Sequence, residues 1–129
     1  MPTRISATRI GTRAVRRWSG ERIVPMALPK VAFIGTGGTI ASLGRGPLDI
    51  YDYGATGNVM HAAEILARWP ETALVADVIP VRYRNIPSTA IDFSDWKALA
   101  DLCGQLVEKQ PDLAGIVIGH GTATLEETA

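Results

Sequence analysis

Two glycine-threonine segments of this chain have the residue types and the spacing for chemistry. The first is Gly35-Thr36-Gly37-Gly38-Thr39-Ile40-Ala41, and the second, Gly-His-Gly-Thr-Ala-Thr-Leu-Glu-Glu-Thr-Ala, occupies residues 119–129. Each follows a short apolar run, residues 31–34 and 116–118, that is typical of a buried strand. Open α/β sheets bind ligands at the carboxyl ends of their strands, so the pattern predicts threonine hydroxyls at a binding edge. An alcohol there becomes a good nucleophile only beside a positioned base.

The glycine spacing of the first segment does not match the common phosphate-binding loops. A dinucleotide fingerprint starting at Gly35 and Gly37 needs a small residue where Ile40 stands. The phosphate loop G-x-x-x-x-G-K-[ST] has no match in the chain. On spacing alone, the segment is also compatible with a tight strand-to-helix turn whose glycines allow close packing.

The second segment has a local interpretation of its own. Thr124-Leu125-Glu126-Glu127 fits a capping box, in which the threonine hydroxyl accepts a backbone N–H and Glu127 reaches back. The two glutamates then begin a helix and do not form an acid/base pair. His120 is a candidate base, although a histidine in a tight turn more often satisfies backbone groups. Thr122 lies before this predicted helix, where unpaired N–H groups favour a developing negative charge.

Taken together, the two segments resemble the two threonine motifs of the asparaginase/glutaminase family, the bacterial-type L-asparaginases. The family versions of these motifs run T-G-G-T-I-A and T-H-G-T-D-T-[LM]-E-E-T-A. Residues 36–41 match the first motif completely, and the second motif matches at residues 120–122, at Thr124 and at residues 126–129. The likeness covers about residues 30–129, the N-terminal portion of a family member.

This resemblance implies an amidohydrolase that hydrolyses the side-chain amide of L-asparagine, or of a related small carboxamide, to the acid and ammonia. It implies three catalytic residues: Thr36 as the nucleophile, Tyr51 as its base and Thr122 as the second catalytic threonine. Tyr53 is the alternative to Tyr51. The family chemistry uses no metal and no other cofactor.

The resemblance also implies two substrate-binding residues. Ser88, in the segment Asn85-Ile86-Pro87-Ser88, corresponds to the serine that holds the substrate carboxylate. Gly121 corresponds to a glycine that lines the pocket. The implied partners are a small-molecule amide and, for a full-length family member, further copies of the chain in a homo-oligomer.

Three positions depart from the family pattern. Ala123 stands where the family has the aspartate that holds the substrate α-amino group, Thr89 where it commonly has glutamine, and Gly119 where it has threonine. A lost charge-assisted hydrogen bond costs about 1.5–3 kcal/mol. Two further interpretations therefore stay open: an amidase for a carboxamide without an α-amino group, and a degenerate, non-catalytic domain. Because the sequence stops within the second motif, we expect this fragment alone to be inactive.

The elements that position these segments are predicted to alternate as β-α-β-α-β. Strands are expected at about residues 30–35, 73–83 and 114–118, with Pro80 marking an edge or a bend. Asn58 and Ser94 are the predicted caps of the two helices between them. Right-handed crossovers make the strands parallel, so Thr36 and Thr122 are expected at one edge. The predicted fold class is α/β, a Rossmann-like parallel sheet flanked by helices, as a truncated part of an asparaginase N-terminal domain.

The composition narrows the class of protein. Residues 1–25 contain six arginines and one glutamate, a net charge of +5, while the rest of the 129-residue chain sums to −5. The body has no basic stripe for nucleic acid and no apolar run of the roughly 20 residues that a membrane helix needs. Cys103, the single cysteine, lies in an apolar helical stripe and is expected to be a small buried hydrophobe.

The first 29 residues are expected to be a basic, disordered extension, and residues 30–129 an incomplete asparaginase-like α/β domain. Residues 1–25 lack the apolar h-region of a secretory signal, and Met26 is a possible true start. A mitochondrial-type presequence also fits their composition. We expect a cytoplasmic protein that binds neither nucleic acid nor membrane.

Overall fold

The computed structural model describes residues 27–129. The predicted extension lies outside the described residues as far as residue 26. Three parallel strands form one sheet in the order β2-β1-β3: β1 Lys30–Gly35, β2 Asp77–Arg82 and β3 Leu113–Gly119. Three helices accompany them: α1 Ala62–Arg68, α2 Phe93–Lys109 and α3 Leu125–Thr128. The predicted α/β class with a parallel sheet is confirmed.

Strand β1 is central and carries the buried apolar run that the sequence indicated. Ala32 and Ile34 are fully buried. In the register of the sheet, Gly35 at the end of β1 lies opposite both Arg82 of β2 and Gly119 of β3. The three strands therefore end together, and the loops that follow them share one edge of the sheet.

Strand β2 is shorter than predicted and lies at an edge of the described sheet. Residues Pro70–Leu74 form a 3₁₀ turn, so the strand begins at Asp77 and not at residue 73. Proline at the first position of such a turn loses no hydrogen bond, because the N–H there has no partner within the turn. Pro80 lies within β2, and the edge position that it predicted is confirmed.

Helix α1 begins later than its predicted cap. Asn58 does not start it, because residues 58–60 pair instead with the segment after the first motif. Ser42 and Val59 form an isolated antiparallel bridge, and the N–H of Met60 donates to the Ala41 carbonyl at 2.8 Å. His61 then precedes the helix, and its N–H donates to the Glu64 carboxylate at 2.7 Å.

Helix α2 is capped by Asp92 and not by Ser94 as predicted. The Asp92 carboxylate accepts N–H groups of Ser94 at 2.8 Å and Asp95 at 3.3 Å. A carboxylate is the stronger acceptor and also favours the positive end of the helix dipole. Leu99 of the apolar stripe is buried, whereas Cys103 is only half-buried, which corrects the prediction of a buried thiol.

The main apolar cluster lies beside β1, under the segment that links the first motif to α1. Ala41, Met60 and Ile65 are buried there, and Phe33 and Val59 pack against them. The loop of the first motif is thus anchored in the core on the side that leads to α1. Within residues 27–129, every helix is too short or too polar to pass through a membrane.

Candidate active site

A cavity of about 280 Å³ lies among the loops that follow the three strands. The connection from β1 to α1 contributes Gly38, Thr39, Ser42, Gly54 and Val59, the connection from β2 to α2 contributes residues 85–89, and the loop after β3 contributes Thr122 and Ala123. The two motif loops therefore border one cavity, at the edge where parallel α/β sheets bind ligands.

Glycines let the three loops touch. Gly38 has a φ of 75°, and a Cβ on it would lie 2.7 Å from the Gly121 Cα. A Cβ on Gly121 would in turn lie 2.8 Å from both the Cβ and the Oγ of Ser88. Side chains at these two positions would force the loops apart, so both motifs need glycine here for steric reasons.

Thr36, the nucleophile implied by the resemblance, is buried and does not line the cavity. It is 1% exposed, and its hydroxyl donates to the Gly119 carbonyl at 2.9 Å. Its own N–H donates to the same carbonyl at 3.0 Å, and its carbonyl accepts the N–H of Ile86 at 3.0 Å. Thr36 therefore joins the three loops, and its hydroxyl is occupied by a structural hydrogen bond.

Thr39 is the threonine of the first motif that lines the cavity. It is exposed, as is Thr122, which lines the same cavity from the loop after β3. Thr39 begins a short 3₁₀ turn after Gly37 and Gly38, both of which have positive φ. One signal in the sequence pointed to it: Thr36 directly follows the last residue of β1, whereas Thr39 comes after the two glycines that turn the chain.

The structure does not bring the two candidate tyrosines to the cavity wall. Tyr51 is 91% exposed, and Tyr53 is half-buried at the start of the 3₁₀ turn Tyr53–Ala55. Their neighbour Gly54 does line the cavity. The loop that carries the tyrosines thus borders the cavity, with both tyrosine side chains off its wall.

Ser88 lies in the cavity wall, as its predicted role requires, and is 6% exposed. Its carbonyl accepts the hydroxyl of Thr124 at 2.8 Å. That bond corrects the predicted capping box, because the Thr124 hydroxyl joins the loops after β2 and β3 and does not cap α3. Gly121 is buried beside Ser88 and is not among the residues that line the cavity.

His120 is buried in a hydrogen-bond network and does not line the cavity. Its Nδ1 lies 2.6 Å from the Gly121 carbonyl, which can only accept, so Nδ1 carries a proton. Its Nε2 lies 3.0 Å from the Thr128 hydroxyl, and Trp96 Nε1 donates to that hydroxyl at 3.0 Å. The imidazole therefore satisfies backbone and side-chain groups that connect the second motif to α2, which agrees with the non-catalytic interpretation of this residue.

Hydrogen bonds of side chains in α2 and in the connection before it hold the cavity wall in position. Asp95, 2% exposed, accepts the Arg84 guanidinium at 2.7 Å and the Tyr83 hydroxyl at 3.0 Å. Burial, followed by the hydrogen bond to Asp95, raises the pKa of Tyr83 above its ordinary value. The Asn85 amide nitrogen donates to the carbonyls of Val59 at 3.3 Å and Met60 at 3.2 Å.

A larger groove, of about 500 Å³, lies at the other end of β2. Leu28, Leu66 and Asp77 are among the residues that line it, and none of the motif residues does. It lacks the pair of threonine hydroxyls that the smaller cavity presents.

Among residues 27–129, no group of three or more histidine, cysteine and carboxylate side chains is arranged to hold a metal ion.

Comparison with known proteins assigns the family. Residues 30–129 match the family model described as Asparaginase, N-terminal. The chain is 36% identical over 101 residues to a glutamyl-tRNA(Gln) amidotransferase subunit of Thermofilum pendens and 35% identical over 102 residues to L-asparaginase 2 of Bacillus subtilis. These alignments cover 78% and 79% of the chain. The chain belongs to the asparaginase family.

A solved structure agrees with this assignment. The fold is similar to that of a probable cytoplasmic L-asparaginase from Campylobacter jejuni, with a TM-score of 0.66 and 31% sequence identity over 78% of this chain. The match covers 29% of that structure, and the two curated relatives named above are covered over 21% and 26% of their lengths. The chain thus corresponds to an N-terminal portion of its relatives.

Proposed function

We propose that this chain carries the threonine-bearing part of an amidohydrolase site that cleaves small carboxamides of the asparagine type. One observation carries the proposal: two exposed threonines, Thr39 and Thr122, line one cavity at the ligand-binding edge of an asparaginase-family sheet. A hydroxyl on each of two facing loops suits an attack on an amide carbon and a second proton transfer at the same centre.

Thr39 is proposed as the nucleophile in place of Thr36. Its oxygen forms a bond to the amide carbon, the C–N bond breaks, ammonia leaves with an added proton, and water then releases the acid from the threonine ester. Thr122 acts on the opposite side of the same carbonyl group. Tyr51 and Tyr53 are retained as the two candidates for the base, since their loop borders the cavity at Gly54. The reaction needs neither a metal nor an organic cofactor.

The rest of the assignment follows the family. Ser88 is proposed to hold the polar end of the substrate from the loop after β2. The chain spans 21% and 26% of the lengths of two relatives, so the hydrolysis reaction is assigned to a full-length protein of this family. We propose that this protein is a homo-oligomer in the cytoplasm. The Campylobacter jejuni protein of similar fold, described as cytoplasmic, supports that location.

A chimera tests the nucleophile. Residues 27–129 replace the corresponding segment of Bacillus subtilis L-asparaginase 2, and ammonia release from succinamate and L-asparagine is measured. Thr39→Val is expected to lower kcat by about 10³-fold or more, and Thr39→Ser to retain part of the activity. Thr122→Val is expected to have a comparable effect. Thr72→Val is the control, because Thr72 lines the larger groove away from this cavity.

The outcome that contradicts this assignment is specific. If the folded Thr39→Val chimera keeps the activity of the parent chimera while Thr36→Val loses it at unchanged thermal stability, Thr36 is the nucleophile and the reassignment fails. A parent chimera that folds, as judged by circular dichroism, and releases no ammonia from any carboxamide favours the non-catalytic interpretation.

A second candidate is amide transfer. Three relatives, each named as a subunit of glutamyl-tRNA(Gln) amidotransferase, come from Thermofilum pendens, Methanosarcina barkeri and Methanosarcina mazei and are 36–38% identical to the chain. A transferase passes the amide nitrogen to an acceptor, whereas a hydrolase releases it as ammonia. Steady ammonia release by the chimera without any acceptor favours hydrolysis, and release that depends on an added acceptor and partner protein favours transfer.

A further inference from the structure

The cavity wall has no charged side chain among the residues that the structure describes. Its polar members carry hydroxyl or carboxamide groups: Thr39, Ser42, Asn85, Ser88, Thr89 and Thr122. The remaining lining residues are glycines and apolar residues, of which Ala123 stands directly beside Thr122. A ligand group with a positive charge would leave water here without a carboxylate partner.

Two charged residues near the cavity, Arg84 and Asp49, are paired within the protein. Arg84 precedes Asn85 in the chain, and its guanidinium bonds to the buried carboxylate of Asp95 at 2.7 Å. Asp49 belongs to the loop that reaches the cavity at Gly54. Its carboxylate accepts the N–H groups of Arg45 and Asp52, each at 3.0 Å. The carboxylates of Asp95 and Asp49 are thus used in holding the loops, and Glu126, an exposed carboxylate in the neighbouring groove, does not line the cavity.

The carboxylate and the ammonium group of an amino-acid amide differ in what it costs to bury them against such a wall. A carboxylate is well stabilised by neutral O–H donors, which the threonine and serine side chains supply. An ammonium group removed from water needs a carboxylate to recover its lost hydration, and it is costly to bury without one. The wall therefore discriminates against an ammonium group more strongly than against a carboxylate.

We propose that the carboxamide bound in this cavity carries no free ammonium group. The inference rests on the proposed function, in that it assumes a carboxamide ligand, and it narrows the substrate class. Acids and neutral molecules with a primary amide fit the wall, whereas L-asparagine is disfavoured. Ala123, which contributes a methyl group to the wall directly beside Thr122, is the specificity-determining residue.

Two matched pairs of probes test the inference on the 129-residue chain itself. Succinamate and L-asparagine differ by one ammonium group, and so do propanamide and β-alaninamide. Dissociation constants are measured at neutral pH from the amide NMR shifts of cavity residues such as Ser88 and Ala123. The ammonium-free member of each pair is expected to bind about 10-fold or more tightly, the ratio that one lost charge-assisted hydrogen bond produces.

A variant then locates the discrimination. Ala123→Asp is expected to strengthen the binding of β-alaninamide by about 10-fold and to leave propanamide unchanged. Ala98→Asp is the control, because it adds the same charge at an exposed position of α2 away from the cavity.

The results separate two kinds of failure. If the ammonium-bearing member binds as tightly as its partner in either pair, the inferred substrate class is wrong, while the cavity still binds carboxamides as the proposed function requires. If none of the four probes shifts the cavity signals of the 129-residue chain, the inference is contradicted, whereas the proposed function is decided separately by ammonia release from the chimera.

Discussion

Two threonines three positions apart have opposite environments in the first motif. Thr36 is 1% exposed and bonds to the Gly119 carbonyl through its hydroxyl, whereas Thr39 is exposed in the cavity wall. Gly37 and Gly38 between them have φ angles of 98° and 75° and turn the chain out of the sheet direction. The first threonine thus joins the loops after β1 and β3, and the second lies in the cavity wall.

The division of roles predicts different effects on stability. Thr36→Val is expected to lower the free energy of unfolding by about 1 kcal/mol, because it removes a buried hydrogen bond, while the Gly119 carbonyl keeps the N–H of residue 36. Thr39→Val is expected to change it by no more than about 0.5 kcal/mol, as is usual at exposed positions. Urea unfolding of the 129-residue chain measures both values. Equal losses in the two variants would contradict the structural role of Thr36.

At the scale of elements, helix α2 shows how a cap depends on charge. The pKa of Asp92 is lowered from its ordinary value of 3.8, first by the hydrogen bond from the Ser94 hydroxyl and then by the N–H groups of Asp95 and Ser94. A lowered pKa in the folded state means that the carboxylate contributes stability above pH 3.8, the ordinary value. That contribution is lost as the pH falls through the lower, folded-state pKa.

This sign predicts the pH dependence of one variant. Asp92→Asn keeps a capping oxygen without the titration, so its deficit in urea midpoint relative to the parent should be largest near neutral pH and shrink in acid below the folded pKa. Ser94→Ala removes the largest cause of the shift and should raise the pKa of Asp92, measured by NMR titration of its carboxyl group. If the deficit in urea midpoint of Asp92→Asn stays constant from neutral pH into acid, the charge of Asp92 does not contribute to the stability of the cap.

The sequence predicted elements better than it predicted their ends. β1 has the expected bounds, because a continuous apolar run between Pro29 and a glycine loop leaves few alternatives. The caps were wrong at Asn58 and Ser94 because each choice depends on contacts outside the helix or on a competing carboxylate. The Thr124 hydroxyl was assigned to its own helix for the same reason, since its partner Ser88 is 36 residues away in sequence.

At the residue level, the site was predictable in composition and less so in geometry. The resemblance named Ser88 and Thr122, and both line the cavity. The resemblance named Thr36 as the nucleophile, and its burial could not be predicted, since it depends on a bond to Gly119, 83 residues away. The positions of Tyr51 and Tyr53 depend on the course of a long loop, which local pattern does not determine.

For the molecule as a whole, the cavity loops are expected to open as one unit. Three hydrogen-bonded residue pairs join them: Thr36 with Gly119, Ile86 with Thr36, and Thr124 with Ser88. The amide of Ile86 should therefore exchange with solvent about as slowly as the core amides of β1, and much more slowly than the amide of Ala55, whose partner Asp52 lies in the same loop. Hydrogen exchange followed by NMR measures these rates. Similar rates for Ile86 and Ala55 would show that the loops open independently.

The bond between Thr36 and Gly119 also sets an order for folding. It joins residues 83 positions apart, and β1, the central strand, has its second partner in residues 113–119. Contacts of such long sequence separation form slowly, because a large loop must close before they stabilise the chain. During synthesis, β1 and β2 can pair as soon as residue 82 has emerged from the ribosome. The cavity cannot form until the second threonine motif has also emerged. The first threonine motif, although it is synthesised early, therefore acquires its final contacts only at the end of synthesis of these residues.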